Sequence, residues 1–213
     1  MSLAHNGVLF LDELPEWGRH ALEVLREPLE SGSVCVSRAA RQSEYPARFQ
    51  LVAAMNPCPC GWAGDGHGRC RCTPDMIDRY RGRVSGPLLD RIDIQVEVGR
   101  LPPAALRPDA PCGEPSAGVR ARVQAARARQ QARAGIPNAR LDRRGTDAHC
   151  RLAGADQLLL ERAMDQLQLS ARAMHRILRV ARTVADLAGS EAIATAHLTE
   201  ALAYRSREAI GAR

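Results

Sequence analysis

The sequence contains no lysine, and all thirty of its basic residues are arginine. A phosphate-binding loop of the form G-x-x-x-x-G-K-[ST] needs its lysine to reach the β- and γ-phosphates of a nucleotide. Such a loop therefore cannot exist within these 213 residues. Exclusive use of arginine also arises from genomic composition, so the net charge of +6 is not taken as evidence of an anionic partner.

Long apolar runs and aromatic residues are scarce as well. No run approaches the roughly 20 apolar residues that span a bilayer, and residues 1–6 are too short and polar for a secretory signal. Aromatics make up 3% of the chain, too few for a surface on which nucleic-acid bases stack. The sequence predicts a cytoplasmic globular protein of one or two domains, without a membrane partner.

The first half of the chain has the pattern of a mixed α/β fold. Two apolar runs, each expected to be buried on both faces, and one alternating run predict strands: Gly7–Leu11, Phe49–Met55 and Ile92–Val98. Helical spacing predicts a helix over His20–Leu29, and a second helix is expected over Asp75–Arg83. Val34–Tyr45 has the loose alternation of a β-hairpin.

The second half predicts helices alone. Five prolines between Arg100 and Ser116 indicate a linker, so the predicted domains are residues 1–99 and 116–213, joined by residues 100–115. The expected fold class is α/β followed by all-α. The predicted helices are Ala117–Ala134, Ala155–Leu167, Ser170–Ala188 and Ala196–Arg207.

Two acids, Asp12 and Glu13, directly follow the first predicted strand. An Asp at the carboxyl end of a buried strand can hold Mg²⁺ against nucleotide phosphates. The adjacent Glu can orient or deprotonate an attacking water. The six residues 8–13 by themselves are also compatible with an ordinary strand that runs into an acidic loop.

Four of the seven cysteines form two Cys-x-Cys pairs with nine residues between them: Cys58, Cys60, Cys70 and Cys72. Four thiolates on two chelating arms predict a structural Zn²⁺ site, because zinc prefers a closed tetrahedral sulfur shell. The one-residue spacing departs from the usual C-x₂₋₄-C, and His67 is an alternative ligand. A reduced, metal-free loop is the alternative to a metal site.

Ser170 is a good N-cap, which places Arg172 in the first turn of a helix. The helix dipole disfavours a cation there, and an anion that the side chain meets would explain its position. The alternative is a solvated surface arginine, since Arg176 and Arg179 share its face of the helix.

The stretch from Ala4 to Val98 closely resembles the ComM/YifB branch of the magnesium-chelatase-like AAA+ ATPases, and the resemblance continues into the second half. The matching segments are AHNGVLFLDELPE, LEVLREPLESG, VSRAARQ, YPARFQLVAAMNPCPCG, RCRCTP, SGPLLDRID, NARL, LSARAMHRILRVARTVADL and AHLTEALAYR. The resemblance implies a partial P-loop-NTPase sheet made of strands 3, 4 and 5, followed by a helical lid domain. Strand 1, which precedes the phosphate-binding loop, belongs between strands 4 and 5 and is not found.

The resemblance also implies roles for particular residues. Asp12 and Glu13 match the Walker B pair, and Asn56 matches sensor 1, which contacts the γ-phosphate or the attacking water. Arg91, assisted by Asp90, matches an arginine finger that reaches the nucleotide of a neighbouring subunit, and Arg172 matches sensor 2. The implied cofactors are ATP and Mg²⁺, and the implied assembly is a homo-oligomeric ring, a hexamer.

Related motors carry a hairpin before sensor 1 that touches the DNA backbone in the ring pore. Arg38 and Arg41 would have that role here, binding phosphates without reading sequence; a solvated basic turn is the alternative. The implied function is ATP-driven remodelling of single-stranded or branched DNA, as in ComM-like branch migration and of helicase type. A porphyrin-metallating chelatase motor and a non-enzymatic helical interaction module are the other two hypotheses.

We expect this chain to be a truncated reading frame or a piece of a longer protein. Without a phosphate-binding loop it is expected not to hydrolyse ATP by itself.

Overall fold

The computed structural model describes residues 1–38, 41–107 and 109–205, and only the backbone of Arg38 and Arg41. The chain divides into two compact units, Met1–Ile92 and Asp93–Arg213. The division lies ahead of the predicted linker at 100–115. The first unit mixes strands with short helices and the second is helical, which confirms the expected fold class.

A parallel pair of strands organises the first unit. Strand β1 (Val8–Leu11) pairs with β4 (Gln50–Ala53), and Leu11 lies opposite Ala53. The prediction that both faces are buried is wrong: Leu11 is 6% exposed, whereas Val8 and Phe10 on the other face are 59% and 58% exposed. Among the described residues, helices and loops cover only the face that carries Leu11.

The strands β2 (Ser33–Arg38) and β3 (Arg41–Pro46) form an antiparallel hairpin in which Val34 lies opposite Tyr45. This confirms the hairpin that was predicted over Val34–Tyr45. The side chains of Arg38 and Arg41, the two candidate DNA contacts, lie outside what the structure describes.

The helix predicted over His20–Leu29 is interrupted. Helix α1 (Arg19–Val24) ends before Leu25, and α2 (Arg26–Ser31) follows it. The break has a local cause, since Pro28 has no amide hydrogen and its ring clashes with the carbonyl four residues earlier. The apolar core of this unit contains Leu22 of α1 together with Leu11, Leu14, Leu25, Val84 and Leu88, and Leu29 of α2 packs against it.

Two further helices complete the first unit. Helix α3 (Pro74–Arg81) begins where the hydroxyl of Thr73 accepts a hydrogen bond from the amide of Met76, and it confirms the predicted helix over Asp75–Arg83. Helix α4 (Gly86–Leu89) is a single turn that was not predicted.

The strand predicted over Ile92–Val98 does not form. No strand in the described part of the chain lies beside this stretch to share hydrogen bonds with it. The amide of Gln95 instead donates to the carbonyl of Tyr204 at 3.1 Å, and Ile94 and Val96 stay 51% and 63% exposed. A segment with alternating apolar residues forms a strand only where a neighbouring strand shares hydrogen bonds with it.

Among the described residues, the second unit contains the four predicted helices and one more, and the end of the predicted helix Ala196–Arg207 lies outside the described residues. The helices are α5 (Ser116–Ala134), α6 (Arg143–His149), α7 (Gly154–Leu167), α8 (Ala171–Leu187) and α9 (Thr195–Ala203). Helix α8 supplies the centre of the core, where Ile177, Ala181 and Ala185 are fully buried. No helix in the described ranges is long and apolar enough to span a membrane.

Candidate functional site

The first candidate site lies at the carboxyl edge of the β1–β4 pair. Asp12 follows β1 directly, and Asn56 comes three residues after the last residue of β4. The two segments stay paired past the strands, because the amide of Ala54 donates to the carbonyl of Leu11 and the amide of Leu14 donates to that of Ala54, both at 2.9 Å. The structure therefore brings the predicted Asp12, Glu13 and Asn56 to one edge, where all three are exposed.

The backbone at Glu13 has an unusual conformation. Its φ and ψ are 50° and 47°, the left-handed region that non-glycine residues seldom adopt. The amide of Glu13 donates to Oδ1 of Asp12 at 2.9 Å, and the indole of Trp17 donates to the carbonyl of Asp12 at 2.9 Å. Leu14 is 2% exposed and anchors the turn in the core, so both carboxylates are held in a fixed turn at the strand end.

Tyr80 supports this edge from within the protein and was not singled out from the sequence. It lies in α3, is 5% exposed, and its side chain is hydrogen-bonded to the backbone of Asn56. Burial raises the pKa of Tyr80, and the nearby carboxylates of Glu16 and Glu13 act in the same direction. A buried tyrosine on a polar helix was the available signal, but its partner could not be read from the sequence.

The predicted arginine finger, Arg91, lies just after α4 with its guanidinium held inside its own unit. Its Nη2 is 2.8 Å from Oε2 of Glu30 in α2, and its Nη1 donates to the carbonyl of Pro87 at 2.6 Å. The side chain of Arg91 is 9% exposed. The neighbouring Asp90, its predicted assistant, is exposed at the end of α4.

In the second unit Arg172 is exposed in the first turn of α8, as predicted. The hydroxyl of Ser170 accepts from the amide of Ala173 at 3.2 Å, which confirms the predicted N-cap. The alternative, a solvated face shared by Arg172, Arg176 and Arg179, does not hold beyond the first turn of the helix. Arg176 is 8% exposed and pairs with Asp93 at 2.7 Å, and Arg179 donates to the carbonyl of Leu141 at 2.9 Å.

The four clustered cysteines form the second candidate site. Each offers a sulfur, and the four sulfurs all lie within 4.8 Å of one another. The Sγ of Cys58 is 3.4 Å from that of Cys60 and 3.7 Å from that of Cys70, and Cys60 and Cys70 are 3.6 Å apart. Zinc–sulfur bonds of about 2.3 Å make the edges of a ZnS₄ tetrahedron about 3.8 Å long, so the cysteine cage has the dimensions of a zinc site.

The loop that carries the cysteines is shaped by glycine. Gly61, Gly64, Gly66 and Gly68 all have φ between 66° and 78°, a region that suits glycine and lets the chain turn repeatedly between the two Cys pairs. Asp65 accepts from the amide of His67 at 2.9 Å and pairs with Arg69 at 2.6 Å. Among the described residues, the group whose geometry could hold a metal ion contains the four cysteines and not His67.

The cysteine thiols differ in acidity. Backbone hydrogen bonds from Arg71 and Trp62 lower the pKa of Cys60 to about 6. Burial raises the pKa of Cys72 to about 12. A metal cation would remove this difference, because a coordinating thiol is deprotonated outright.

Two sequence profiles identify the family of this chain. The profile of magnesium chelatase, subunit ChlI, matches residues 1–106, and that of its C-terminal region matches residues 113–205. The chain therefore belongs to the magnesium-chelatase-like family, in its ComM/YifB branch.

Individual relatives agree with this assignment. The chain is 50% identical over 206 residues to competence protein ComM of Haemophilus influenzae and to YifB of Escherichia coli, covering 97% of this chain and 40% of each relative. The magnesium-chelatase 38 kDa subunit of Acidiphilium rubrum is 29% identical over 100 residues, covering 47% of this chain and 26% of the relative. The chain thus spans about two fifths of the length of the ComM and YifB relatives.

Proposed function

We propose that this chain carries the hydrolytic and sensing residues of a ring-forming AAA+ ATPase that remodels DNA. The observation that supports the proposal most is the edge of the β1–β4 pair, where Asp12, Glu13 and Asn56 lie at the ends of adjacent parallel strands. Ligands of open α/β sheets bind at the carboxyl ends of strands, and a carboxylate pair beside an amide suits a magnesium-bound phosphate and an attacking water.

Each residue of the edge has a distinct role in the proposal. Asp12 holds Mg²⁺, Glu13 orients and deprotonates the water, and the side chain of Asn56 donates to the γ-phosphate. Magnesium-bound ATP supplies the transferable phosphoryl group. The left-handed turn at Glu13 and the hydrogen bond between Tyr80 and Asn56 keep these side chains in place before the nucleotide arrives.

Three further residues have roles in the proposal. Arg91, with Asp90 beside it, contacts the nucleotide of a neighbouring subunit in a hexameric ring. Arg172 is the residue of the helical unit that contacts nucleotide. The chain contains no lysine for a phosphate-binding loop, so in this proposal that loop belongs to a longer protein.

DNA is the proposed substrate because the relatives that match nearly the whole chain are ComM and YifB, and the name of ComM is that of a competence protein. Single-stranded or branched DNA would pass the β2–β3 hairpin, where Arg38 and Arg41 would contact backbone phosphates.

The four cysteines are proposed to hold a structural Zn²⁺. The donor set and the sulfur separations fit a closed tetrahedral site, which leaves no position for a reacting water. The ion would stabilise a loop that otherwise has little apolar burial, with no part in hydrolysis.

The test is ATP turnover by the longer protein, with and without single-stranded and branched DNA. Replacing Glu13→Gln is expected to lower kcat by at least about 100-fold, since it removes the general base and keeps the shape of the side chain. Glu16→Gln, which changes an exposed acid three residues on, is the matched control and should keep nearly full activity.

The second candidate, a chelatase motor that acts on a porphyrin through a partner, rests on the matched ChlI profile. DNA stimulation separates the two functions. Turnover that DNA does not change would favour the chelatase, and turnover that Glu13→Gln does not reduce would contradict both.

A further inference from the structure

The guanidinium that would serve as an arginine finger is already occupied within its own unit. Arg91 pairs with Glu30 at 2.8 Å and donates to the carbonyl of Pro87 at 2.6 Å, with only 9% of its side chain exposed. Glu30 lies in the last turn of α2, and 36% of its side chain is exposed. The pair is therefore at the rim of the unit, where a competing anion can reach it.

The surroundings of the pair are acidic. A cleft of about 340 Å³ lies beside the pair, and its lining residues are Glu23, Arg26, Glu27, Glu30, Ser31 and Arg91. Glu23 pairs with Arg26 at 2.6 Å and is also hydrogen-bonded to Ser85. Glu23 and Glu27 line the cleft, but the carboxylate paired with Arg91 is that of Glu30, which retains the guanidinium in the absence of a stronger anion.

We propose that Glu30 is a positioning residue that stores Arg91 in an inward state until the nucleotide of a neighbouring subunit competes for it. The inference rests on the proposed function, since it assumes that Arg91 acts as a finger. With Nη2 on Glu30 and Nη1 on the carbonyl of Pro87, the two arms of the guanidinium cannot at the same time stabilise a transferring phosphoryl group. Ring assembly and ATP binding must therefore break the contact between Arg91 and Glu30.

The stored state has a measurable consequence. If only a fraction of the molecules have Arg91 turned outward, the apparent affinity between subunits is the intrinsic affinity multiplied by that fraction. A substitution that removes the inward state restores the intrinsic affinity. A partly exposed ion pair contributes up to about 1 kcal/mol, so its loss changes the population by about threefold to fivefold. Arginine suits the exchange because a polyphosphate offers more negative charge to the same fork than one carboxylate does.

The first experiment measures the stored state in this chain directly. Purified chain is treated with phenylglyoxal, which modifies accessible arginines, and the rate at Arg91 is followed by peptide mass spectrometry. Glu30→Gln is expected to raise that rate about threefold to fivefold. Glu27→Gln, which removes another acid of the same cleft and helix, is the matched control and should change the rate by less than about 1.5-fold.

The second experiment measures ATP turnover against subunit concentration in the longer protein. Glu30→Gln is expected to lower the concentration for half-maximal turnover by the same factor as it raises modification of Arg91, with KM for ATP unchanged. Arg91→Lys keeps a cation for Glu30 but loses the fork, so it should lose turnover while Glu30 remains paired. A purely structural role for Glu30 would instead lower the melting temperature and reduce turnover.

The outcomes separate this inference from the function on which it rests. If Arg91→Ala leaves turnover intact, the finger itself is wrong. If Arg91→Ala abolishes turnover but Glu30→Gln leaves both the modification rate and the concentration dependence unchanged, the finger stands and the storage by Glu30 is overturned. The inference is supported if Glu30→Gln raises the modification rate of Arg91 and lowers the half-maximal subunit concentration by the same factor, while Glu27→Gln changes neither.

Discussion

At the scale of single residues, the helical unit contains a buried carboxylate, Asp186, that is surrounded by polar partners. Asp186 is completely buried and accepts from Asn138 at 2.8 Å, with Arg133 and Arg182 paired to it. The backbone carbonyl of Asp186 also accepts from Arg129 at 2.8 Å. Removing one partner of such a buried ion pair is far more costly than the net contribution of the pair. These residues fix the packing of α5 against α8 and have no part in the proposed chemistry.

Cys150 in the same unit predicts a dependence of stability on pH. The residue is 3% exposed, and burial raises the pKa of its thiol from the usual 9.0 to about 11. Below pH 9 the thiol is protonated in the folded and unfolded states alike, so it gives no pH dependence. Between pH 9 and 11 only the unfolded chain ionises, and the free energy of unfolding should fall with rising pH, by at most about 3 kcal/mol from this group.

The measurement is urea unfolding at several alkaline pH values, followed by circular dichroism. Cys150→Ala should remove that part of the fall, whereas Cys112→Ala, at an exposed cysteine, should retain it. Equal slopes for wild type and Cys150→Ala would show that the thiol is not held neutral by burial.

At the scale of elements, the cysteine loop between β4 and α3 has four glycines in left-handed conformations and a cage of four sulfurs. Such a loop has few apolar contacts of its own and needs another source of order. The salt bridge of Asp65 with Arg69 and the stacking of Arg69 over Trp62 at 3.8 Å stabilise the segment between the two Cys pairs. A bound metal would join its two ends.

We expect the chain to bind one Zn²⁺ and to show the thiolate-to-metal absorption of a tetrahedral sulfur site with Co²⁺. Cys60→Ser and Cys72→Ser should each weaken metal binding by at least about 100-fold, because a hydroxyl is a poor substitute for a thiolate. Cys35→Ser, in the hairpin, is the matched control and should bind like wild type. The site would be disproved by a reduced wild-type chain that binds no metal, or by an equal loss in the Cys35→Ser variant.

At the scale of the whole molecule, each of the two units has an apolar core of its own. The helical unit has a continuous core around α8. The first unit leaves Val8, Phe10 and Val52 between 40% and 59% exposed on one face of its two-stranded pair. Parallel strands are normally covered on both faces, and a bare apolar face with open strand edges favours association.

The helical unit, residues 93–213, is therefore expected to unfold in one cooperative transition when produced alone. Residues 1–92 alone should bind a hydrophobic dye and aggregate, because the exposed apolar face has no cover. Denaturant unfolding and light scattering of the two pieces check this. A helical piece that melts without cooperativity, or a monomeric first piece that does not bind the dye, would contradict it.

Several features could be derived from the sequence because they depend on local chemistry. Hydrophobic periodicity predicted the hairpin, helix α3 and the four long helices, and a short apolar run with two acids identified Asp12 and Glu13 as the end of a strand. The spacing of the cysteines was sufficient to group the four that the structure brings together. The family resemblance, confirmed by the matched profiles, identified Asn56 and Arg91 as residues of interest.

Only the tertiary structure decided what depends on neighbours. The alternation over Ile92–Val98 could not form a strand without a partner, and one face of β1 stayed exposed because nothing in the described chain covers it. Tyr80 is hydrogen-bonded to Asn56, Arg176 pairs with Asp93, and Arg91 pairs with Glu30. Each of these contacts joins residues that are distant in the sequence. Local patterns specify which groups a segment offers, whereas pairing and burial depend on which segment the fold brings opposite them.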